Sequence, residues 1–131
     1  MTRPGGRILV VDQITSVDPL EALAHNSIER LRDPSHVRVL SDQDFRALFE
    51  ANWLRLLRFE VDREERDLAG FLDVAGCEGE ARRAVIDEVE RLLARGDRAG
   101  IELRRAADGY ALTLRVAWYM LDRPRTPTAA T

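Results

Sequence analysis

Residues Pro4–Asp12 read Pro-Gly-Gly-Arg-Ile-Leu-Val-Val-Asp, and this stretch decides the fold that the sequence predicts. Two glycines form a turn, four aliphatic residues follow without a break, and an acidic residue closes the run. A continuous apolar run bounded by turn residues is typical of a strand that is buried on both faces of a sheet. Because this inner strand starts near the first residue, we expect its usual neighbour to come from sequence outside the chain.

The composition indicates one soluble α/β domain and a reducing cellular compartment. The 131 residues fit a single domain, 45% are hydrophobic, and the net charge of −3 gives no electrostatic case for nucleic acid or a membrane surface. We find neither a membrane-length apolar run nor a signal peptide, and therefore expect a cytoplasmic protein. The lone Cys77 excludes an internal disulfide, and one cysteine with two histidines is too few for a closed zinc site.

Periodicity and capping residues place the other elements. Asp18-Pro19 begins a helix that ends at Asp33-Pro34, and Ser41 caps a second, short helix. Residues Trp53–Val61 alternate as a strand with one buried face, and two helical segments follow within residues 63–95. The last elements form a hairpin, and its second strand, Tyr110–Leu121, is long enough to be central. We predict a single domain over 1–122 and a disordered tail over 123–131.

Three segments together resemble class I S-adenosylmethionine-dependent methyltransferases, in particular the ubiquinone/menaquinone-biosynthesis-like, type 11 subgroup. They are the proline-glycine-glycine strand Pro4–Asp12, the stretch His25–Arg38, and the helix Ser41–Glu50. The resemblance implies a partial Rossmann-like methyltransferase fold equivalent to the second half of that family. It implies a small mixed sheet in the order 5-7-6, with Arg7–Gln13, Tyr110–Asp122 and Trp53–Val61 side by side and helices on both faces.

The resemblance implies S-adenosylmethionine as the cofactor, but the residues that hold it have no counterpart here. In that family the first half of the fold binds the cofactor, with a glycine-rich turn after strand one and an acid at the end of strand two. The chain contains no Gly-x-Gly-x-x-Gly, and its glycine-rich Gly76-Cys77-Glu78-Gly79 lies between two predicted helices. We therefore expect no cofactor-binding residues and no S-adenosylmethionine binding by this chain alone.

Three candidate site residues have a chemical reason of their own. Asp12 ends the buried strand, at the carboxyl end where open α/β sheets bind ligands; its alternative is a loop acid. His25 and His36 titrate near neutrality and can act as base or substrate-orienting group. The alternative for each is a hydrogen-bonded structural histidine, and the connector position of His36 favours the site reading more than the helix position of His25.

Two more residues complete the substrate-side candidates, while the catalytic residue itself stays unknown. Asn26 lies in the segment that carries the resemblance. Arg32 can pair with an acidic substrate, and its alternative is one more surface arginine among many.

Two functions follow from this pattern. The first is the substrate-side half of a methyltransferase, inactive alone or completed by a partner chain. The second is a non-catalytic module for a small ligand or for oligomerisation. In either case an unpaired Ile8–Val11 strand is a template for association, so we expect a homo-oligomer through this edge or a separate cofactor-binding chain.

Overall fold

A computed structural model describes residues 6–124, which form four strands and four helices. In chain order these are β1 (Arg7–Ile14), α1 (Pro19–Arg32), α2 (Asp42–Ala51), β2 (Arg55–Asp67), α3 (Leu68–Val74), α4 (Gly79–Ala94), β3 (Arg104–Ala106) and β4 (Gly109–Asp122). The predicted turn at Pro4-Gly5 and the predicted tail beyond Pro124 lie outside the described residues. No helix among residues 6–124 is long and apolar enough to span a bilayer.

The sheet has the predicted order, with β4 between β1 and β2. Asp122 pairs with Arg7 on one side and with Arg55 on the other, and β3 pairs with the start of β4. Each of these pairings is antiparallel, where we expected a mixed sheet, because β4 separates two strands that run in the same direction. The carboxyl ends of β1 and β2 therefore lie at the same end of the sheet, where β4 begins.

Helices cover both faces, as the sequence predicted. On one face α2 packs over a core around Tyr119, which contains Ile14, Phe45, Phe49, Ala117 and Leu121. On the other face α1, α3 and α4 bury Leu112 and Leu114 from the first part of β4. Burial of these side chains supplies most of the driving force for the fold, at about 1.5–3 kcal/mol for each large aliphatic residue.

Strand β2 is longer than the predicted Trp53–Val61. The charged run Asp62–Asp67 continues the strand, although the sequence pattern predicts helical segments within residues 63–95. It pairs residue by residue with β4, from Asp62 opposite Val116 to Asp67 opposite Ala111. The alternation of apolar and polar residues disappears there because most of these side chains are exposed and none is fully buried.

Strand β1 is not buried on both faces within this chain. Among residues 6–124 it has one strand neighbour, β4, and its other edge is open. Ile8 and Val10 are half-buried against the Tyr119 core, whereas Leu9 is 53% and Val11 44% exposed on the opposite face. Strand β1 thus has the composition of an inner strand, but among residues 6–124 one of its faces is partly exposed and one of its edges is unpaired.

The segment between α1 and α2 runs along the end of β1. The Thr15 amide donates to the Leu40 carbonyl at 2.9 Å, and Thr15 and Ser41 form a parallel bridge. This connection places Leu40 and Ser41 at the carboxyl end of β1.

Candidate functional site

A buried carboxylate on α1, Glu29, gathers three of the predicted site residues. Its side chain is 1% exposed, and its Oε2 accepts a hydrogen bond from Arg32 Nη2 at 3.1 Å. His25 Nε2 lies 3.7 Å from Oε1, and His36 Nε2 lies 3.8 Å from Oε2. We call these four residues the Glu29 cluster. The sequence analysis missed Glu29 itself, although its i+4 spacing from His25 and i+3 spacing to Arg32 put all three on one side of α1.

His25 is fully buried, and both of its ring nitrogens are hydrogen-bonded within the protein. The Gln13 side-chain amide nitrogen lies 2.9 Å from Nε2, and Thr15 Oγ1 lies 2.7 Å from Nδ1. Gln13 Nε2 also lies 3.5 Å from Glu29 Oε1. These bonds join β1 to α1 and leave His25 no exposed nitrogen in this chain.

The electrostatics of the cluster keep Glu29 ionised. Burial acts to raise the pKa of Glu29, but the neighbouring His25 and Arg32 outweigh it and lower this pKa to about 2. A buried carboxylate with an arginine partner is charged at neutral pH and attracts N–H groups. The cluster therefore presents a fixed negative charge to the histidines around it.

Arg32 links the cluster to α3. Its Nη1 donates to the Phe71 carbonyl at 3.2 Å, and its guanidinium carbon lies 3.9 Å from the centre of the Phe71 ring. Its Nε is buried and has no hydrogen-bond partner among residues 6–124. Because its charge is already paired with Glu29, Arg32 is occupied as a structural contact between α1 and α3.

His36 is the member of the cluster that reaches the surface. Its side chain is 28% exposed, and its Nε2 is buried against Glu29 without a hydrogen-bond partner among the described residues. Its backbone amide donates to the Asp33 carbonyl at 2.9 Å, which forms a turn directly after α1. His36 is thus anchored by its backbone to Asp33, directly after α1, and by its side chain beside Glu29.

The other two predicted site residues lie outside the cluster. Asn26 Oδ1 accepts from the Val39 amide at 2.7 Å, and its Nδ2 donates to the carbonyls of Ala22 and Val39, so Asn26 fastens the connector to α1. Asp12 is exposed and accepts from the Gln13 amide at 2.8 Å. It pairs with Ala117 and therefore lies on the Tyr119 face of the sheet, opposite Gln13 and the Glu29 cluster.

A second concave site lies between α3, α4 and the β3–β4 turn. It is a cavity of about 410 Å³ whose lining is mainly apolar, with Leu68, Leu72, Ile86 and Tyr110, and with Arg82 at its polar side. Arg82 is paired with Asp73 at 2.7 Å. The volume falls within the range of small-molecule pockets, roughly 300–1,000 Å³.

The described residues do not fit the cofactor that the resemblance implies. Strand β1 is followed by Thr15–Asp18 without a glycine, and β2 runs directly into α3 at Leu68. The described glycines with positive φ lie beside α3 and α4, after Asp97–Ala99, and in the β3–β4 turn. Among residues 6–124 there is neither a glycine turn between a strand and its helix nor a cluster of metal ligands.

The geometry can be compared with proteins that are already known. No protein-family model matches the chain. Over 49 residues, which are 37% of the chain, it is 47% identical to the uncharacterized methyltransferase YcgJ of Bacillus subtilis, and the match spans 19% of that protein. The crystal structure of YcgJ superposes with a TM-score of 0.82 at 21% identity, over 95% of this chain and 53% of the other.

Over those 49 residues the chain is similar in sequence to a methyltransferase. A putative methyltransferase from Bacillus halodurans gives the same result for the fold, with a TM-score of 0.79 at 16% identity over 93% of this chain and 57% of the other. The sequence match supports the methyltransferase relationship over its 49 residues, and the two superpositions show a shared Rossmann-like fold. The methyltransferase-like chain spans little more than half the length of these solved relatives.

Proposed function

We propose that this chain supplies the substrate-side half of an S-adenosylmethionine-dependent methyltransferase and is inactive until a donor-binding half completes its sheet. One observation carries the proposal: β1 has the composition of an inner strand but lies at an open edge, in a fold that matches about half of a solved methyltransferase-like chain. The methyl donor would be bound by the completing polypeptide, because residues 6–124 lack the features that hold it.

The two edges of the sheet support this proposal by their contrast. The stretch Ile8–Val11 on β1 carries no charge, and two of its four side chains are largely exposed. On β2 the stretch from Arg58 to Asp67 contains eight charged residues. Natural sheets protect free edges with charged side chains, so β2 has the sequence of a permanent edge and β1 that of a strand awaiting a neighbour.

The face beside β1 supports the same conclusion. Leu9 and Val11 pair with Met120 and Trp118 of β4, and Trp118 is 38% exposed on that face. A strand added to β1, with a helix above it, would bury these side chains. About half of the usual 1.5–3 kcal/mol per large aliphatic residue is still available at Leu9 and Val11.

The predicted homo-oligomer would use the same surface. When no donor-binding half is present, self-pairing of two β1 edges across a two-fold axis would continue the sheet and cover Leu9 and Val11. We propose this self-association for the isolated chain, and a separate cofactor-binding chain as the functional partner. The buried thiol of Cys77 fits the reducing cytoplasm in which we place the assembled enzyme.

Calorimetric titration of the purified chain with S-adenosylmethionine, and with its demethylated product, tests the proposal. We expect no binding tighter than millimolar, because the described residues offer no glycine turn between a strand and its helix to hold the amino-acid part of the cofactor. YcgJ, titrated in parallel, serves as the comparison protein. Micromolar binding by the chain alone would show that it does not need a second half.

A second candidate function rests on the cavity between α3, α4 and the β3–β4 turn. Its volume of about 410 Å³ and its apolar lining suit a small apolar molecule. Native mass spectrometry of freshly purified protein separates this ligand-binding module from the methyltransferase half. A mass increment that disappears on denaturation favours the module, and a clean apo mass counts against a tightly held ligand.

A further inference from the structure

We propose that His36 is a ligand-contacting residue, whose ring is oriented by the buried carboxylate of Glu29 so that Nδ1 accepts a hydrogen bond from a ligand. The ligand class is a small molecule with an O–H or N–H group at the reacting position. The nature of this ligand rests on the proposed function, in which it is the methyl acceptor. The geometry of His36 stands on the structure alone.

The first step is the position of the proton on the ring. His36 Nε2 faces Glu29 Oε2 at 3.8 Å, and both groups are buried. An ionised carboxylate stabilises an N–H that points toward it and repels a lone pair. The neutral ring therefore carries its proton on Nε2 and keeps the lone pair on Nδ1. Glu29 acts here as a positioning residue, as carboxylates do for histidines in many sites.

The second step is access. The His36 side chain is 28% exposed although its Nε2 is buried, so the exposed area belongs to the rest of the side chain. His25 provides the internal contrast, because it is 0% exposed and both its nitrogens are bonded within the protein. Of the two histidines that touch Glu29, one is closed off and the other is open toward solvent.

The third step is location. His36 lies in the connector that Asn26 fastens to α1 and that Thr15 joins to the end of β1. The connector ends at Leu40 and Ser41 beside the carboxyl end of β1, the side of the sheet on which open α/β folds bind ligands. The charged groups that face His36 are Glu29 and its partner Arg32, with Asp33 at the start of the connector. Each of these has another partner: Glu29 faces the other ring nitrogen, Arg32 is paired with Glu29, and the Asp33 carboxylate accepts hydrogen bonds from Ser35.

The alternative is that His36 only adds one more partner to a buried carboxylate. The two roles differ in what Nδ1 does. A purely structural histidine can have Nδ1 protonated or shielded, whereas a ligand-contacting one needs an unprotonated and accessible Nδ1.

Nitrogen NMR of the ¹⁵N-labelled chain, at a pH where histidine is neutral, determines which ring nitrogen of each histidine carries the proton. We expect His36 as a single Nε2–H tautomer. Glu29→Gln should give His36 a mixture of tautomers, because an amide can present either oxygen or nitrogen to the ring. An Nδ1–H tautomer of His36 in the unmodified chain would overturn the proposal, whether or not the variant folds.

Carbethoxylation with diethyl pyrocarbonate, followed by peptide mass spectrometry, measures how accessible each histidine ring is to a reagent in solution. We expect His36 to react, and His25 to react at least about a hundredfold more slowly than His36, because reaction at His25 needs local opening. Equal protection of both histidines would also overturn the proposal. Neither measurement involves a methyl donor, so a failure of the proposed methyltransferase function would leave these results interpretable.

Discussion

Glu29 carries the electrostatics of the site, because a fully buried carboxylate is kept charged by its neighbours. The residues that the sequence analysis selected for their chemistry, His25, Arg32 and His36, meet at this unselected glutamate. Residue type and spacing identified the partners. The centre was missed because a glutamate on a helix is ordinarily exposed, and only tertiary packing buries this one.

The lowered pKa of Glu29 predicts acid sensitivity. The unfolded chain has an ordinary value of 4.5 and the folded one a pKa of about 2, so the stabilisation is complete above pH 4.5 and is lost as pH falls toward 2. Its size is on the order of 3 kcal/mol. Urea unfolding at pH 7 and pH 3 should show this loss in the unmodified chain. Glu29→Gln should already be less stable at pH 7, with a flatter pH profile.

The matched control is Glu50→Gln, on the exposed side of α2. It should leave both the stability at pH 7 and the pH profile nearly unchanged. If Glu29→Gln and Glu50→Gln behave alike, Glu29 is not the buried charged centre described above.

Tyr119 gives a second prediction for a single residue. Its hydroxyl donates to Asp42 Oδ1 at 2.8 Å, and its ring packs against those of Phe45, Phe49 and Phe59. Burial and the Asp42 bond raise the pKa of Tyr119 well above its usual range. Tyr119→Phe should lower the free energy of unfolding by about 1.5–3 kcal/mol through loss of a bond to a charged group. Thermal and urea unfolding, with the half-exposed Tyr110→Phe as control, measure the difference; equal effects would contradict this role.

At the scale of elements, capping signals were the most accurate part of the sequence analysis. Asp18 caps α1 and accepts from the Leu20 amide, and Ser41 and Asp44 form the capping box of α2. These signals are local, so the sequence alone contains them. The end of β2 was misjudged because its charged residues depend on pairing with β4, which is about fifty residues away in sequence.

Ser41 tests the importance of that local signal. Its Oγ accepts from the Asp44 amide at 3.1 Å, and its own amide donates to Asp44 Oδ2 at 3.1 Å. Ser41→Ala should destabilise the chain by about 1 kcal/mol through loss of the cap. Circular dichroism during urea unfolding measures this change. Ser41→Asp, which keeps a capping oxygen, should retain most of the stability; an alanine variant as stable as the aspartate variant would argue against the cap.

At the scale of the whole molecule, the sequence predicted the strand order but not how much of β1 remains uncovered. The apolar run, together with the resemblance of the chain to methyltransferases, was sufficient to predict the strand order β1-β4-β2, which the structure confirms. Burial was misjudged because it depends on a neighbour, and a strand composition cannot reveal whether that neighbour is in the same chain. The open edge is therefore a property of residues 6–124 rather than of the composition of the strand.

The open edge predicts self-association of the isolated chain. Val11 on β1 is 44% exposed and Val61 on β2 is 39% exposed, so the two provide a matched pair of positions on opposite edges. Sedimentation velocity should show dimers or larger species for the unmodified chain. Val11→Lys should shift the population toward monomer, and Val61→Lys should not. A monomer at high concentration, or equal effects of both variants, would contradict the β1 edge as the association surface.

The most direct test of the central claim is to supply the missing side of the sheet. The part of the YcgJ chain that this chain does not match can be fused ahead of Arg7, and the fusion titrated with S-adenosylmethionine. We predict a cooperatively folded monomer that binds the donor with micromolar affinity, which the unfused chain does not, and Val11→Lys should weaken folding of the fusion. A fusion that folds cooperatively, with β1 covered, but still fails to bind the donor would contradict the account.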